Sequence, residues 1–383
     1  MMTSAILAAS LVLAMPQQGT LPGDKVTKVQ AKVVGPYFLV DVMVNGKPAK
    51  FVVDSGAGLT VLNPDAAERL GIKDGIPIKA NGAGSKAVDA KLVRFKTLSM
   101  GGVEVTNDQA VVLELPEILQ CDGLIGYSFL RHFATTFDYS KQTLVFGPSG
   151  KHEVLADERE LEMKLDANIP LFPGSLDGIK GWYNIDTGAN QALTVHRPFI
   201  DANKLESKYP KRRKAIVGKG VGGFAYGDKT SVKSFELGGF EFKSVPSSFA
   251  GVEGGILSRN TSIGNVGADV LRKFIMTLDY PAKKAYLRMG PLYNDPLSAD
   301  RAGIFADYQG GRFVVVDVAK GSPGEKAGLK LGDVLTAING VKTNSVHPLE
   351  FGKGLRGKSG TKVKVDFLRN DRAQKTEIVL ADF

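Results

Sequence analysis

Two short apolar runs in this sequence each end on an acid. Phe51-Val52-Val53 leads into Asp54-Ser55-Gly56-Ala57-Gly58, and Trp182-Tyr183-Asn184-Ile185 leads into Asp186-Thr187-Gly188-Ala189-Asn190. A carboxylate at the end of a buried strand is costly to desolvate. Two of them on matching glycine-containing turns make sense if they meet. Like charges a few ångströms apart cannot both ionise easily, so one keeps its proton. A water held between such a pair faces a base and an acid together, a device for splitting an amide without a metal or a covalent intermediate. One Asp-Ser/Thr-Gly alone is more often a tight turn. The second copy is what reverses that reading.

The elements that must position the acids are themselves duplicated. Asp54 and Asp186 are 132 positions apart. Leu98-Ser99-Met100-Gly101-Gly102 returns as Phe235-Glu236-Leu237-Gly238-Gly239, and the stretch closing on Phe137-Asp138-Tyr139 returns as Leu278-Asp279-Tyr280. Order is kept, which is the signature of a repeated lobe with small insertions. Each lobe reads as β-rich. Two apolar runs flank Asn45-Gly46, a hairpin signal, and further hairpins turn at Gly101-Gly102 and Ser140-Lys141. Short helices are expected at Pro64–Leu70, after Asn63, and just after Gly126 and Gly267. Charged residues 151–161 read as the linker between lobes, and a second linker begins at Gly290.

Residues 300–383 lie outside the repeat. Two apolar strands flank Gln309-Gly310-Gly311, a short helix follows Ser322-Pro323, and alternating residues from Thr361 onward close as a hairpin.

These motifs resemble the aspartic proteases. Asp54-Ser55-Gly56 and Asp186-Thr187-Gly188 are similar to the family's catalytic signature, and Leu124-Ile125-Gly126 to its later apolar-apolar-Gly element. The likeness covers roughly residues 30–290. The C-terminal Gly321-Ser322-Pro323-Gly324-Glu325-Lys326-Ala327-Gly328-Leu329, running on to Ile338-Asn339-Gly340, resembles a PDZ domain. The implied fold is mainly β: duplicated β-barrel-like acid protease lobes at 28–150 and 160–292, then a small α+β PDZ domain at 296–383.

By resemblance, Asp54 and Asp186 form the catalytic dyad, and Ser55, Gly56, Thr187, Gly188 and Asn190 belong to the substrate-binding surface, with Ser55 and Thr187 bracing the two loops. Gly303, Ile304 and Phe305 would border the PDZ peptide site, where extended peptides add to a strand edge. Residues 79–91 and 218–229 would be flap hairpins, the second carrying Phe224 and Tyr226. Two departures stand out. Gly58 matches Asn190 of the other lobe, and Asn265 replaces an apolar residue in the second under-packing element. Ala57 and Ala189 lack the hydroxyl often found beside a pepsin-like carboxylate, so a bell-shaped pH profile on the order of pH 5–6.5 is expected.

The expected activity is therefore peptide-bond hydrolysis by a monomer, with peptides as partners and no cofactor or metal. The alternative is a catalytically silent peptide-binding protein that uses the cleft and the PDZ groove. The four histidines, His132, His152, His196 and His347, show no metal-ligand spacing. Gly218, Gly220 and Gly223 satisfy G-x-G-x-x-G but precede a strand pattern, which excludes a dinucleotide turn. The net charge of +9 and the run 208–214 come without a nucleic-acid fold signature, so no nucleic-acid partner is expected. The lone Cys121 reads as a small buried hydrophobe. Residues 1–20 look like a signal peptide, with Val12-Leu13-Ala14 as a cleavage site, and point to export to the periplasm or beyond.

Overall fold

A computed structural model describes residues 17–84, 86–251 and 255–382. Strands account for 50% of the structure and helices for 13%, so the fold is mainly β as expected. Four sheets carry it: one of nine strands in the first lobe, one of eight in the second, one of six beneath both, and one of six in the C-terminal domain.

The acid-bearing strands form where the hairpin signals put them. Tyr37–Val44 pairs antiparallel with Lys47–Val53, and the turn between them places Asn45 and Gly46 at φ of 50° and 76°. Positive φ at both positions matches the twist of the flanking strands, and asparagine and glycine tolerate it best. Gly123–Ile125 then lies parallel to Phe51–Val53. The second lobe repeats the plan: Ile169–Leu176 pairs with Ile179–Asp186, and Gly264–Gly267 runs parallel beside it. Helices Pro64–Leu70, Tyr127–Leu130 and Ala268–Leu271 appear as read from the sequence. Asn63 precedes the first of these, but its side chain bonds the Cys121 carbonyl and the Leu115 N–H instead of the helix end.

The third sheet is a floor shared by both lobes. Ala134–Asp138 pairs antiparallel with Phe274–Asp279, Thr136 opposite Thr277, with their hydroxyls 2.8 Å apart at the centre. Thr143–Gly147 and Thr27–Gln30 extend it on one side, Lys284–Met289 and Arg159–Glu162 on the other. The floor corrects the first linker, because Arg159–Glu162 is a paired strand. Asp138 and Asp279 serve its turns by accepting backbone N–H groups of Lys141, Gly150 and Ala282. One apolar core runs through both lobes and includes Phe38, Phe51, Phe137, Phe172 and Tyr183. Burying each such ring contributes roughly 1.5–3 kcal/mol.

The second linker is also fastened. The Tyr293 ring packs on Phe240, Phe242 and Phe274, and the Ser298 N–H and hydroxyl bind Asp269. Within the basic run 208–214, Arg212 pairs with Asp228 and Arg213 with Asp300. Residues 18–20, inside the leader-like segment, pair as an edge strand with 104–106 of the first lobe. Residues 1–16, including Val12-Leu13-Ala14, lie outside the described residues. Among the described residues no helix is long and apolar enough to cross a membrane.

In the C-terminal domain, Ile304–Gln309 is the edge strand of a sheet completed by Arg312–Val318, Val334–Ile338, the short Val341–Lys342, Lys362–Arg369 and Arg372–Val379. Pro323–Lys326 starts on a Ser322 cap whose hydroxyl accepts the Glu325 N–H. The helical segment Pro348–Phe351 runs on into Gly352–Leu355.

Candidate active site

The two acidic loops meet at the junction of the lobes and lock each other. Ser55 Oγ donates to the Ile185 carbonyl (2.7 Å), and Thr187 Oγ1 donates to the Val53 carbonyl (3.1 Å). Each hydroxyl also accepts the other's backbone N–H, Ser55 N to Thr187 Oγ1 at 3.0 Å and Thr187 N to Ser55 Oγ at 3.1 Å. Both residues are fully buried, so neither can touch a substrate. Their place on the substrate surface is corrected and their bracing role stands. A consequence is measurable. Thr187→Val keeps the shape but leaves the Ser55 N–H buried without its partner. The loss should be on the order of 1–3 kcal/mol, read as a lower urea midpoint with an unchanged slope.

With the loops locked, each carboxyl faces the glycine of the opposite loop. A Cβ on Gly56 would overlap the Asp186 carboxyl, and one on Gly188 would overlap that of Asp54. Asp54 Oδ1 accepts the Gly56 N–H at 2.7 Å, and Asp186 Oδ1 accepts the Gly188 N–H at 2.9 Å. Symmetry ends there. Asn265 Nδ2 donates to Asp186 Oδ2 at 2.8 Å. Its counterpart under Asp54 is Leu124, which has no hydrogen to give. The asparagine that breaks the apolar pattern is thus a direct support for Asp186.

Burial raises both carboxyls above the ordinary range, and for Asp54 the neighbouring Asp186 charge raises it further. For Asp186 the Asn265 and Gly188 donors act against that rise, because they favour the charged form. The Asn265 donor, with no equivalent under Asp54, thus favours the negative charge on Asp186. Tyr37 stands beside them in the cavity wall. Its hydroxyl is held neutral by burial and then by the negative charge of the adjoining carboxyl pair. Nothing in the sequence marked it.

The dyad opens into a cavity of about 1770 Å³. Gly56, Gly188 and Asn190 line it, as expected. Gly58 differs from Asn190 for a steric reason: a Cβ there would meet the Ala167 carbonyl. Both flaps exist as hairpins, Gly75–Ala80 with Val88–Met100 and Arg213–Gly220 with Gly223–Leu237. Their tips touch each other over the cavity, Gly84 N–H donating to the Val221 carbonyl at 2.9 Å. Phe224 and Tyr226 do not line the cavity. Phe224 turns outward, edge-on to Phe305 of the C-terminal domain.

Other groups that could do chemistry are accounted for. Burial pushes the Cys121 thiol up to about 11, so it is no nucleophile at neutral pH. His196 Nδ1 lies 3.2 Å from Ser262 Oγ, but both side chains are buried and neither lines the cavity. Burial lowers His196 to about 4. Among the described residues no cluster of His, Cys, Asp and Glu could hold a metal.

Comparison with known proteins agrees with this architecture. Residues 40–129 match the aspartyl protease family and residues 295–380 match the PDZ domain. The chain is 29% identical over 126 residues to Protein DDI1 homolog 2 of Xenopus laevis, covering 32% of this chain and 31% of that protein. It is 41% identical over 85 residues to the periplasmic pH-dependent serine endoprotease DegQ of Escherichia coli, covering 22% of this chain and 18% of DegQ. It is 33% identical over 124 residues to a probable CtpA-like serine protease of Staphylococcus saprophyticus, 31% of this chain and 25% of that one. The chain thus spans a third or less of these relatives. It joins a region similar to aspartyl protease domains to a C-terminal region similar to PDZ domains.

Proposed function

We propose that this chain is an aspartic endopeptidase. The observation that carries the proposal is the pair Asp54 and Asp186, each held against the other loop's glycine at the floor of a flap-covered cavity. The stretches of 79 and 85 residues shared with the CtpA protease of Bacillus subtilis and with DegQ are the size of one PDZ domain. A serine mechanism finds no support in the cavity, since the Ser262–His196 contact lies outside it.

Hydrolysis follows from the asymmetry of the pair. A water between the carboxyls gives a proton to Asp186 and bonds to the scissile carbonyl carbon. Asp54 gives its proton to the carbonyl oxygen, so no oxyanion is left bare. Asp186 then gives its proton to the amide nitrogen while Asp54 takes one back from a gem-diol hydroxyl, the C–N bond breaks, and amine and acid leave with the pair restored. Only the singly charged pair can do this. Activity therefore falls when acid protonates Asp186 and again when alkali strips Asp54. Gly56, Gly188 and Asn190 border the peptide backbone, and the PDZ domain takes part in recruiting peptide or protein substrates. Export fits the leader-like start and the periplasmic relative.

Incubating the purified chain with a peptide mixture at pH 5–6.5, with and without pepstatin, tests the proposal. Internal cleavages that pepstatin suppresses and serine reagents spare are expected. Peptides retained but uncut would favour the silent binding protein. Mixing an Asp54→Asn chain with an Asp186→Asn chain should restore nothing, because each site is built from one polypeptide.

A further inference from the structure

The peptide groove of a PDZ domain lies between its edge strand and the helix opposite. Here those walls are Ile304–Gln309 and the helical segment Pro348–Phe351. The groove is not vacant. The one-turn helix Glu117–Leu119 of the first lobe touches both walls, and Ile118 packs against the apolar core of the C-terminal domain. Two polar anchors fix that turn. Glu117 accepts the N–H groups of Gly310 and Gly311 at 2.8 and 2.9 Å, and Gln120 Nε2 reaches the Tyr308 hydroxyl at 3.3 Å.

The other end of the groove is filled too. Gly303 belongs to the loop expected to receive a peptide's terminal carboxylate. Its N–H already donates to a carboxylate of this chain, Asp300 Oδ1, at 2.9 Å. Asp300 is in turn held by Arg213 (2.9 Å) and Lys229 (2.7 Å) of the second flap. A carboxylate at one end and an apolar side chain several residues along are two things an extended C-terminal peptide would bring.

We propose that the PDZ groove is occupied by the chain's own mimic of a peptide, Ile118 with Asp300, and that an extended peptide with a free terminal carboxylate and an apolar side chain several residues before that carboxylate competes for it. The proposal builds on the peptide-recruiting role given to the PDZ domain and does not depend on the dyad's chemistry. The groove shares its cavity with basic side chains, Arg301, Lys320 and Arg356 among them, which favour an anionic peptide end. Displacement has a structural reach. The face of the edge strand turned away from Ile118 grips the second flap, through the Lys219–Asp307 pair (2.7 Å) and the Phe224–Phe305 contact, while Ile216 N–H donates to Asp317 at 3.1 Å. A peptide that shifts this strand loosens the flap's outer strand.

The test uses full-length chain carrying Asp54→Asn, so that no probe is cut. A fluorescent decapeptide with isoleucine at alternate positions and a free terminal carboxylate is titrated by anisotropy, beside the same peptide amidated. Ile118→Ala, which vacates the apolar wall, should tighten binding of the free acid about tenfold. Glu117→Ala, an exposed change that only unpins the turn, should act in the same direction. Asp300→Asn should increase the preference for acid over amide. Saturating peptide should also speed hydrogen exchange at the Ile216 amide. Unchanged or weaker binding in both Ile118→Ala and Glu117→Ala overturns self-occupation. Unchanged Ile216 exchange at saturation overturns the link to the flap. Because the dyad is already disabled, neither result bears on whether the chain is a protease.

Discussion

Asp54→Asn and Asp186→Asn are each expected to lower kcat/KM for a cleaved peptide by roughly a thousandfold or more, with the double variant falling no further. In the proposed mechanism the two carboxyls act as one group with one proton between them. Losing Asp186 removes the base, and losing Asp54 removes the acid that covers the developing oxyanion. Each amide is nearly isosteric with the carboxyl it replaces, and the loops are locked by Ser55 and Thr187 rather than by the acids. Folding should therefore survive, and near-UV circular dichroism of each variant checks it. An Asp186→Asn chain that keeps most of its turnover, or a rate that climbs steadily into alkali, would sink the dyad.

The second large effect falls on Asn265. Its N–H bond to Asp186 stabilises the charged form and has no equivalent under Asp54. Asn265→Leu copies Leu124 of the first lobe into the second. Removing a hydrogen bond to a charged group costs roughly 1.5–3 kcal/mol, which corresponds to about a ten- to hundredfold loss in kcat/KM at the acid side of the profile. The sign for pH follows directly. Without the donor, Asp186 holds its proton to higher pH, so the acid limb of the bell moves upward and the profile narrows. The alkaline limb, set by Asp54, should move little. A uniform loss at every pH would instead mean that Asn265 only packs.

The acids, the repeated lobes and the hairpins at Asn45-Gly46 and Gly101-Gly102 were legible because each depends on a local rule: an apolar run, a turn residue, a period. The C-terminal domain was legible through its Gly321 to Gly340 stretch. What was not legible depends on partners far away in sequence. Asn265 read as a weakness in an apolar pattern, since nothing in its neighbourhood reveals a carboxyl 79 positions earlier. Residues 151–161 read as linker because charge dominates them, yet Arg159–Glu162 finds a strand to pair with in the floor. Phe224 looked suited to lie over a substrate, and only the docked PDZ domain shows why it faces away. Ser55 and Thr187 were assigned to the right loops, but burial is a property of the assembled junction.

The pairing of Ala134–Asp138 with Phe274–Asp279 changes what dilution can do to this protein. In an enzyme assembled from two identical half-sites, mass action governs the active site, and it disappears as subunits part. Here the second carboxyl arrives at an effective concentration fixed by the chain, so specific activity should be constant over any dilution the assay can reach. The same linkage lifts a constraint on inheritance. Identical subunits about a two-fold axis must carry the same residue on both sides. Two halves in one chain need not, and the differences between Leu124 and Asn265, and between Gly58 and Asn190, are changes that only a joined pair could keep.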